Sequence, residues 1–375
     1  MDKILHIVHD DKFIDAGYRN FEAACPNRNK FILFNNQKKL RYIKSTPVEI
    51  YSSLTIYNKK KIKKIIKGYY LFVFHSLSSS KLYVLDSLPK DSKILWIGWG
   101  YDYYDLIGRE LLKPITKSLY VEKTKNSFFQ KSKSFTKRIL FGSPDKISLL
   151  NKIDFFSPVI YEDYVLLKQV IPELGPKYVS WNYEILEDDV IRDFEDTNVN
   201  GENILLGNSA SFTNNHLDAF ENLKKLDLSR RKIIVPLNYG DVEYRNQIVH
   251  YGMKDFGDSF VPLIKFMPIN DYLATISSCS IVIMNHLRQQ AIGNIVIMLY
   301  LGAKVFLDPE NPVFDFFKKQ GAYIYALEEL ATEIDSRLLP DQVEHNRTIL
   351  RTNWSRNVIL KKTKDIIAKL EKVVI

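Results

Sequence analysis

The chain has 375 residues, 46% of them hydrophobic and 26% charged, with a formal net charge of +9; that is long for one α/β domain and comfortable for two. Its 15 Gly and 14 Pro are scattered and no repeat of fixed period recurs, which excludes fibrous, low-complexity and solenoid classes. No run of about 18 apolar residues exists to span a bilayer, no secretory leader is legible at the start, and Cys25 and Cys279 form no CxxC pair, so the expectation is a reduced cytoplasmic protein whose two thiols are small buried hydrophobes.

In chain order, β-branched and aromatic runs at Lys3–His9, Phe31–Asn35, Tyr70–Ser76, Lys93–Gly100 and Lys152–Ile160 predict strands buried on both faces of a parallel sheet. Their spacing of roughly 20–40 residues suits βαβ units. Residues 171–202, with Pro172, Gly175, Pro176 and an acidic run from Glu187, read as a connector. Then strands are predicted at Asn203–Gly207, Lys232–Leu237, Leu263–Phe266, Ile281–Met284 and Lys304–Leu307. Helices are predicted between them, with Leu217, Phe220, Leu223 and Leu226 on one face of the first, and Arg351–Val374 closes the chain as one long amphipathic helix. The expected division is 1–180, a linker at 181–202, a second domain at 203–345, and a tail helix at 346–375 that packs back on the first domain. Residues 1–150 hold 28 Lys/Arg against 13 Asp/Glu, and residues 151–375 hold 25 against 31. A basic half beside a mildly acidic one points to an anionic partner for the first.

Open α/β sheets bind ligands beyond the carboxyl ends of their strands, so residues just after strands carry the chemistry. After the strand ending at Leu206 come Gly207, Asn208, Ser209, Ser211, Thr213, Asn214, Asn215 and His216, a tight turn with hydroxyls and a helix cap. An ordinary well-capped strand–loop–helix connection accounts for the same residues. After Met284 come Asn285, His286, Arg288, Gln289, Gln290, Gly293 and Asn294, leading into a helix that is apolar all round. A buried helix start with a guanidinium beside it is an anion site; the alternative is a surface loop whose Arg pairs locally. Trp96, Trp99, Tyr101, Asp102, Tyr103 and Tyr104 cluster after another strand, as an aromatic sugar wall with Asp102 as base or as plain aromatic packing. His9, Asp10 and Asp11 end the first strand and offer another base, or a polar loop with a helix cap. The basic stretches 59–67 and 113–138, the latter interleaved with Phe128, Phe129 and Phe135, suit an anionic membrane surface, or else a solvated charged face. No nucleic-acid module is visible. Asp-x-Asp, GxxxxGK[ST], GxGxxG and GxSxG are all absent, which argues against a carboxylate-held metal, a kinase, a dehydrogenase and an α/β-hydrolase.

Gly207-Asn208-Ser209 with Asn214-Asn215-His216 resembles the GNS…NNH motif of glycosyltransferase family 56. Asn285 through Asn294 resembles that family's NHxRQQxxGN-like stretch. Val235-Pro236-Leu237-Asn238-Tyr239-Gly240 is similar to its VPLxYG strand, Trp99-Gly100-Tyr101-Asp102 to its WG-x-D element, and Asn311-Pro312 to an NP pair; the resemblance is concentrated in residues 203–315. It implies an α/β chain of the GT-B class, two Rossmann-like domains facing a central cleft, with the donor on the second. It also implies transfer of a 4-amino- or 4-acetamido-dideoxyhexose from a dTDP-sugar to a polyprenyl-diphosphate-linked saccharide of bacterial surface polysaccharide. The expected setting is peripheral, at the cytoplasmic face of the inner membrane. Arg288, Gly293 and Asn294 would hold the leaving diphosphate without a metal or other cofactor. Asn208 and Ser209 would approach the phosphates, Tyr239 the sugar or the phosphates, and Phe266, Met267 and Pro268 the base, with Gly207, Asn214, Asn215, His216, His286, Gln289, Gln290 and Asn311 completing the donor-binding set. Asp102, His9, Asp10 or Asp11 would activate the acceptor if the reaction inverts; retention needs no such base. A catalytically dead module of the same fold and a nucleotide-sugar epimerase are the alternatives.

Overall fold

In the computed structural model, which describes residues 3–37, 39–126 and 145–372, the chain divides into two units. The first is Met1–Arg109, Gln130–Asp189 and Asn353–Ile375; the second is Glu110–Phe129 and Val190–Thr352. The first unit's sheet contains β1 (Ile4–Val8), β2 (Asn29–Phe34), β3 (Val48–Tyr51), β4 (Leu71–His75), β5 (Lys93–Ile97), β6 (Phe155–Ser157) and β7 (Lys177–Tyr178). Their order is β3-β2-β1-β4-β5-β6-β7 and every pairing is parallel. The second unit's sheet contains β8 (Asn203–Leu206), β9 (Ile233–Pro236), β10 (Phe260–Leu263), β11 (Cys279–Met284), β12 (Lys304–Leu307) and β13 (Tyr325–Ala326), in the order β10-β9-β8-β11-β12-β13 and again all parallel. That is the 3-2-1-4-5-6 order of a dinucleotide-binding sheet, whose direction of winding reverses between its first and fourth strands. The reversals fall between β1 and β4 and between β8 and β11.

The continuous apolar runs form strands because helices cover both sheet faces. Every residue of β1, β4, β9, β11 and β12 is buried. The helices used below are α1 (Ile14–Ala24), α2 (Lys59–Ile65), α3 (Pro114–Asn126), α4 (His216–Leu223), α5 (Val242–Phe256), α6 (Ile269–Ile276), α7 (Ile292–Tyr300), α8 (Pro312–Lys319), α9 (Pro340–Trp354) and α10 (Arg356–Lys372). Among the described residues no helix is long and apolar enough to cross a membrane. Cys25 and Cys279 are free and buried.

Four sequence expectations are corrected. Residues 181–202 are not a separate linker: Trp181, Tyr183, Ile185 and Leu186 are buried, and the Trp181 Nε1–H bonds Thr363 Oγ1 at 2.8 Å, so residues 181–189 belong to the first unit and the second begins at Val190. Residues 110–126 leave the first unit for the second, because Thr116 is buried there with its N–H and hydroxyl on Asp218 Oδ2 (3.0 and 2.7 Å). The tail is two helices, α9 and α10, broken at Ser355, where Arg356 N–H bonds Glu187 Oε2 at 3.0 Å; α10 packs on α1. The strand expected at Leu263–Phe266 is shifted to Phe260–Leu263, since β10 is an edge strand that tolerates Pro262 while Ile264 and Phe266 stand in solvent. Phe128, Phe129 and Phe135 of the second basic stretch lie outside the described residues.

Candidate functional site

The two polar loops singled out in the second half follow β8 and β11, neighbours at the winding reversal, where such sheets bind ligands. Chain distance gives no hint of how tightly they are joined. Gly207 turns with φ +66, and a Cβ there would lie 2.7 Å from Asn214 Oδ1 and 2.8 Å from His216 Nε2, so only glycine fits. Asn214 is the hub. Its Oδ1 accepts from Asn208 N–H at 2.8 Å and His286 Nε2–H at 2.9 Å, while its Nδ2 donates to Ser209 Oγ at 3.2 Å and Ser211 O at 3.1 Å. Asn215 and Asn285 exchange side-chain-to-carbonyl bonds of 3.0 and 2.9 Å, riveting one loop to the other. Above them Gln290 joins both: Nε2 donates to Asn208 Oδ1 at 2.9 Å, and Oε1 accepts from Thr213 Oγ1 at 2.6 Å and Arg288 Nε at 3.0 Å. Asn208 Nδ2 in turn donates to Tyr239 OH at 2.8 Å.

This framework delivers the first turn of α7. Its cap residue, Ala291, is left-handed (φ +59) and supplies no side-chain hydrogen bond to the helix N–H groups. Asn294 does not fold back as a cap either; its side chain bonds the Tyr272 phenol. From Ile295 on the helix is buried, so its dipole acts through low dielectric and its amino end is an anion site. Arg288, Gln290, Gly293 and Asn294 are partly exposed at that end, and Tyr239 is 57% exposed.

Several residues expected to touch the donor are instead scaffold. Asn214, Asn215, His216 and His286 are fully buried. His216 Nδ1 bonds Tyr244 OH at 3.1 Å, and burial holds its ring down at about 3. Burial and then the Arg288 charge hold His286 well below its usual value. Both rings stay neutral at pH 7. Asn311 caps α8 through Val313 N–H at 3.0 Å. Phe266, 84% exposed, and its neighbours Met267 and Pro268 follow edge strand β10 and take no part in the Asn–Gln framework. Lys113, which the sequence placed elsewhere, joins this unit: its N–H bonds Asn215 Oδ1 at 2.9 Å and its ammonium pairs with Asp308 at 2.5 Å.

The first unit's reversal gathers the other candidates, with different outcomes. Asp102 is 2% exposed and its carboxylate accepts from Leu77 N–H (2.7 Å), Trp96 Nε1–H (2.8 Å) and Trp99 N–H (2.8 Å). It ties three chain segments together, and burial raises its pKa in spite of these donors. Asp10 accepts from the N–H groups of Arg41, Tyr42 and Ile43 at 2.6–3.0 Å; burial pulls its pKa up, but these donors outweigh it and leave it lowered. Asp10 too is structural. Asp11 has fewer and more local partners, the backbone N–H groups of Phe13 at 3.1 Å and of Lys12, and burial raises its pKa. His9 Nε2 has no hydrogen-bond partner, and burial, then the Lys81 charge, hold the ring down at about 3.

Two features here had no sequence signal. Lys81 is buried, its ammonium donating to the carbonyls of Ile7 at 3.1 Å and Ser76 at 3.2 Å at the ends of β1 and β4. A buried chain also runs from Trp99 Nε1 to Tyr183 OH (2.8 Å), to His75 Nδ1 (2.8 Å), from His75 Nε2 to His6 Nδ1 (3.0 Å), and from His6 Nε2 to Asn29 Oδ1 (3.2 Å). Since Asn29 Oδ1 only accepts, each ring has one tautomer and every proton points the same way. Among the described residues no group of three His, Cys, Asp or Glu gathers to hold a metal ion.

Residues 184–352 match the family of 4-alpha-L-fucosyltransferases, glycosyl transferase group 56. HepE of Anabaena, solved in complex with UDP and glucose, superposes with a TM-score of 0.62 at 11% identity, covering 100% of both chains. A glycosyltransferase of Rickettsia africae gives 0.61 at 15% identity over 99% of each chain. The sucrose-phosphate synthase of Thermosynechococcus elongatus gives 0.63 at 8% identity over 100% of each. The chain has the GT-B fold, and its residues 184–352 match the group 56 glycosyl transferase family.

Proposed function

We propose that the protein transfers a hexose, a 4-amino- or 4-acetamido-dideoxy sugar, from a dTDP-sugar to a polyprenyl-diphosphate-linked saccharide at the cytoplasmic face of a bacterial membrane. One observation carries the donor half of this reading. The amino end of buried helix α7 has no side-chain cap and stands beside Arg288 at the winding reversal of the second sheet. Fixed N–H dipoles and a guanidinium there stabilise a departing nucleoside diphosphate with no need for a metal. The UDP and UDP-glucose complexes of HepE support a nucleotide-sugar donor by likeness of fold. The motif resemblance supports the choice of dTDP and of the lipid-linked acceptor.

Asp11 is the acceptor base in this proposal, and the transfer is inverting. Of the three carboxylates considered, Asp10 and Asp102 are each held by three donors from other parts of the chain, and Asp102 is fully buried, while Asp11 is held by the adjacent backbone N–H groups of Phe13 and Lys12, is partly exposed, and has its proton affinity raised by burial. The test is thermal shift against dTDP-, UDP- and GDP-sugars followed by turnover of Arg288→Ala. A dTDP-sugar should stabilise the native state by mass action, and the variant should lose about 10²-fold in rate. A folded Arg288→Ala enzyme with unchanged turnover removes Arg288 from the mechanism. Neither transfer nor donor hydrolysis with any sugar nucleotide would leave a binding module instead.

A further inference from the structure

We propose that the outer rim of the first sheet, formed by the loop after β2, the turn after β3 and helix α2, is the surface by which the protein docks on an anionic lipid bilayer. This rests on the lipid-linked acceptor of the reading above and adds where the lipid would lie. All strands of the sheet are parallel, so the segments after β2 and β3 leave it at the same end as His9–Asp11 after β1 and Trp99 after β5. Between residues 38 and 67 the sequence has ten Lys/Arg and a single acid, Glu49, which pairs with Lys30.

The cations are held outward by the structure. Ile62 of α2 and its C-cap Ile66 are buried, so Lys60, Lys63 and Lys64 fall on the solvent side of the helix and are exposed, as is Lys67 just beyond it. None of these four forms an ion pair among the described residues. The loop after β2 is fixed from below by carboxylates: Asp10 holds the N–H groups of residues 41–43, and Asp15 holds Lys44 N–H at 2.8 Å and Thr46 Oγ1 at 2.6 Å. That leaves Arg41 and Lys44 exposed. Asn36 Oδ1 accepts from Ser53 N–H at 2.9 Å and Ser52 Oγ at 3.2 Å, joining this loop to the next turn. On that turn Leu54 is 67% exposed, at the lip of a hollow of about 480 Å³ lined also by Tyr57, Asn58, Lys59 and Lys60.

An exposed leucine on the same rim as unpaired lysines is the pattern of an interfacial membrane contact, in which the apolar group enters the headgroup layer and the ammoniums face lipid phosphates. Nucleic acid fits less well, because it needs free aromatic faces for stacking. Of the rings on this rim, Tyr57 is engaged edge-on by Tyr83 at 5.0 Å and Tyr42 is met by the Arg41 guanidinium 5.0 Å from its centroid.

The experiment is co-sedimentation of the full chain with vesicles of phosphatidylcholine alone or in equimolar mixture with phosphatidylglycerol, against a fluorescent single-stranded oligonucleotide as competitor. Binding to the mixed vesicles only is expected. The Lys60→Glu/Lys63→Glu/Lys64→Glu variant should weaken it by about 100-fold, and Leu54→Asp by about tenfold. Lys361→Glu/Lys364→Glu/Lys369→Glu, an equal charge change on α10, should leave it within about twofold. Equal loss in both triple variants, equal binding to neutral vesicles, no vesicle binding at all, or preference for the oligonucleotide overturns the proposal. Stabilisation by sugar nucleotides, measured on the same variants, reports the donor site separately, so failure of docking and failure of the enzymatic reading are told apart.

Discussion

Asn214→Ala removes the buried centre of the donor loop and leaves the partly exposed Arg288, Gln290 and Asn294 unchanged in sequence. The side chain makes four hydrogen bonds, to Asn208 N–H, His286 Nε2, Ser209 Oγ and Ser211 O, and it is fully buried. The Asn208 N–H and the His286 Nε2–H would be left buried without an acceptor, at about 1–3 kcal/mol each. The two donated bonds add about 1 kcal/mol between them, because the Ser209 hydroxyl can rotate to another partner. The sum is about 3–7 kcal/mol, which for a unit of this size lowers Tm by roughly 6–28 °C. The freed loop also lets Asn208 and Gln290 drift, so donor KM should rise by about tenfold at a temperature where the variant remains folded. Thermal unfolding, with and without sugar nucleotide, and initial rates over donor concentration measure both. A Tm within about 2 °C of wild type together with an unchanged donor KM would refute the hub.

Asp102→Asn turns an amide nitrogen against N–H donors and should cost about 2–4 kcal/mol by thermal unfolding, whereas Asp11→Asn should leave Tm unchanged and lower turnover by about 10²-fold; the reverse pattern would exchange their roles. Acid should destabilise the protein early. His6 and His216, fully buried, are held down at about 3, so the unfolded chain binds more protons: stability is full above the unfolded value of about 6.5 and falls as pH drops toward about 3, by up to about 1.4 kcal/mol per pH unit for each ring. A Tm that stays flat from about pH 6.5 to about pH 4 would contradict their burial. Tyr183→Phe removes the acceptor of Trp99 Nε1–H and the donor to His75; tryptophan emission should shift to the red and acceptor KM should rise while donor KM holds. Equal changes in both KM values would show a general loss of structure.

The central strands were legible because burial on both faces leaves an unbroken apolar run, as in Ile204-Leu205-Leu206 and Ile281–Met284. Strands β3, β7 and β13 were missed because each lies at or near an edge, is at most four residues long, and is only partly buried. The apolar residues Val179, Trp181 and Tyr183 were hidden between two prolines and an acidic run, and only the fold shows that they fill a core. At the site, position was readable but role was not. Loops after β8 and β11 can be named from strand order alone. Whether an Asn there faces a ligand or rivets a loop depends on partners about 70 residues away, as for Asn215 and Asn285. Asp102 illustrates the same limit, since its donors come from Leu77, Trp96 and Trp99.

The two units hold their loops with different chemistry, and the difference follows from what each loop presents. In the first unit carboxylates do the holding: Asp10, Asp15 and Asp102 collect backbone N–H groups. In the second, the loops from Gly207 to His216 and from Asn285 to Asn294 contain no Asp or Glu, and amides take over, with Asn208, Asn214, Asn215, Asn285 and Gln290 bonding one another and the main chain. A carboxylate makes the stronger bond to an N–H, so its exclusion here has an electrostatic reason. One fixed negative charge within several ångströms of a diphosphate, in a site of low dielectric, would oppose binding by kilocalories. The neutral histidines fit the same constraint from the other side: His286, held well below its usual value beside Arg288, leaves the guanidinium and the α7 amino end as the charges the anion meets. Asn214→Asp tests this directly. It keeps the size of the side chain and the acceptors for Asn208 and His286, so donor affinity should fall further than stability does, and the gap between the two should close as the new carboxylate is protonated at low pH.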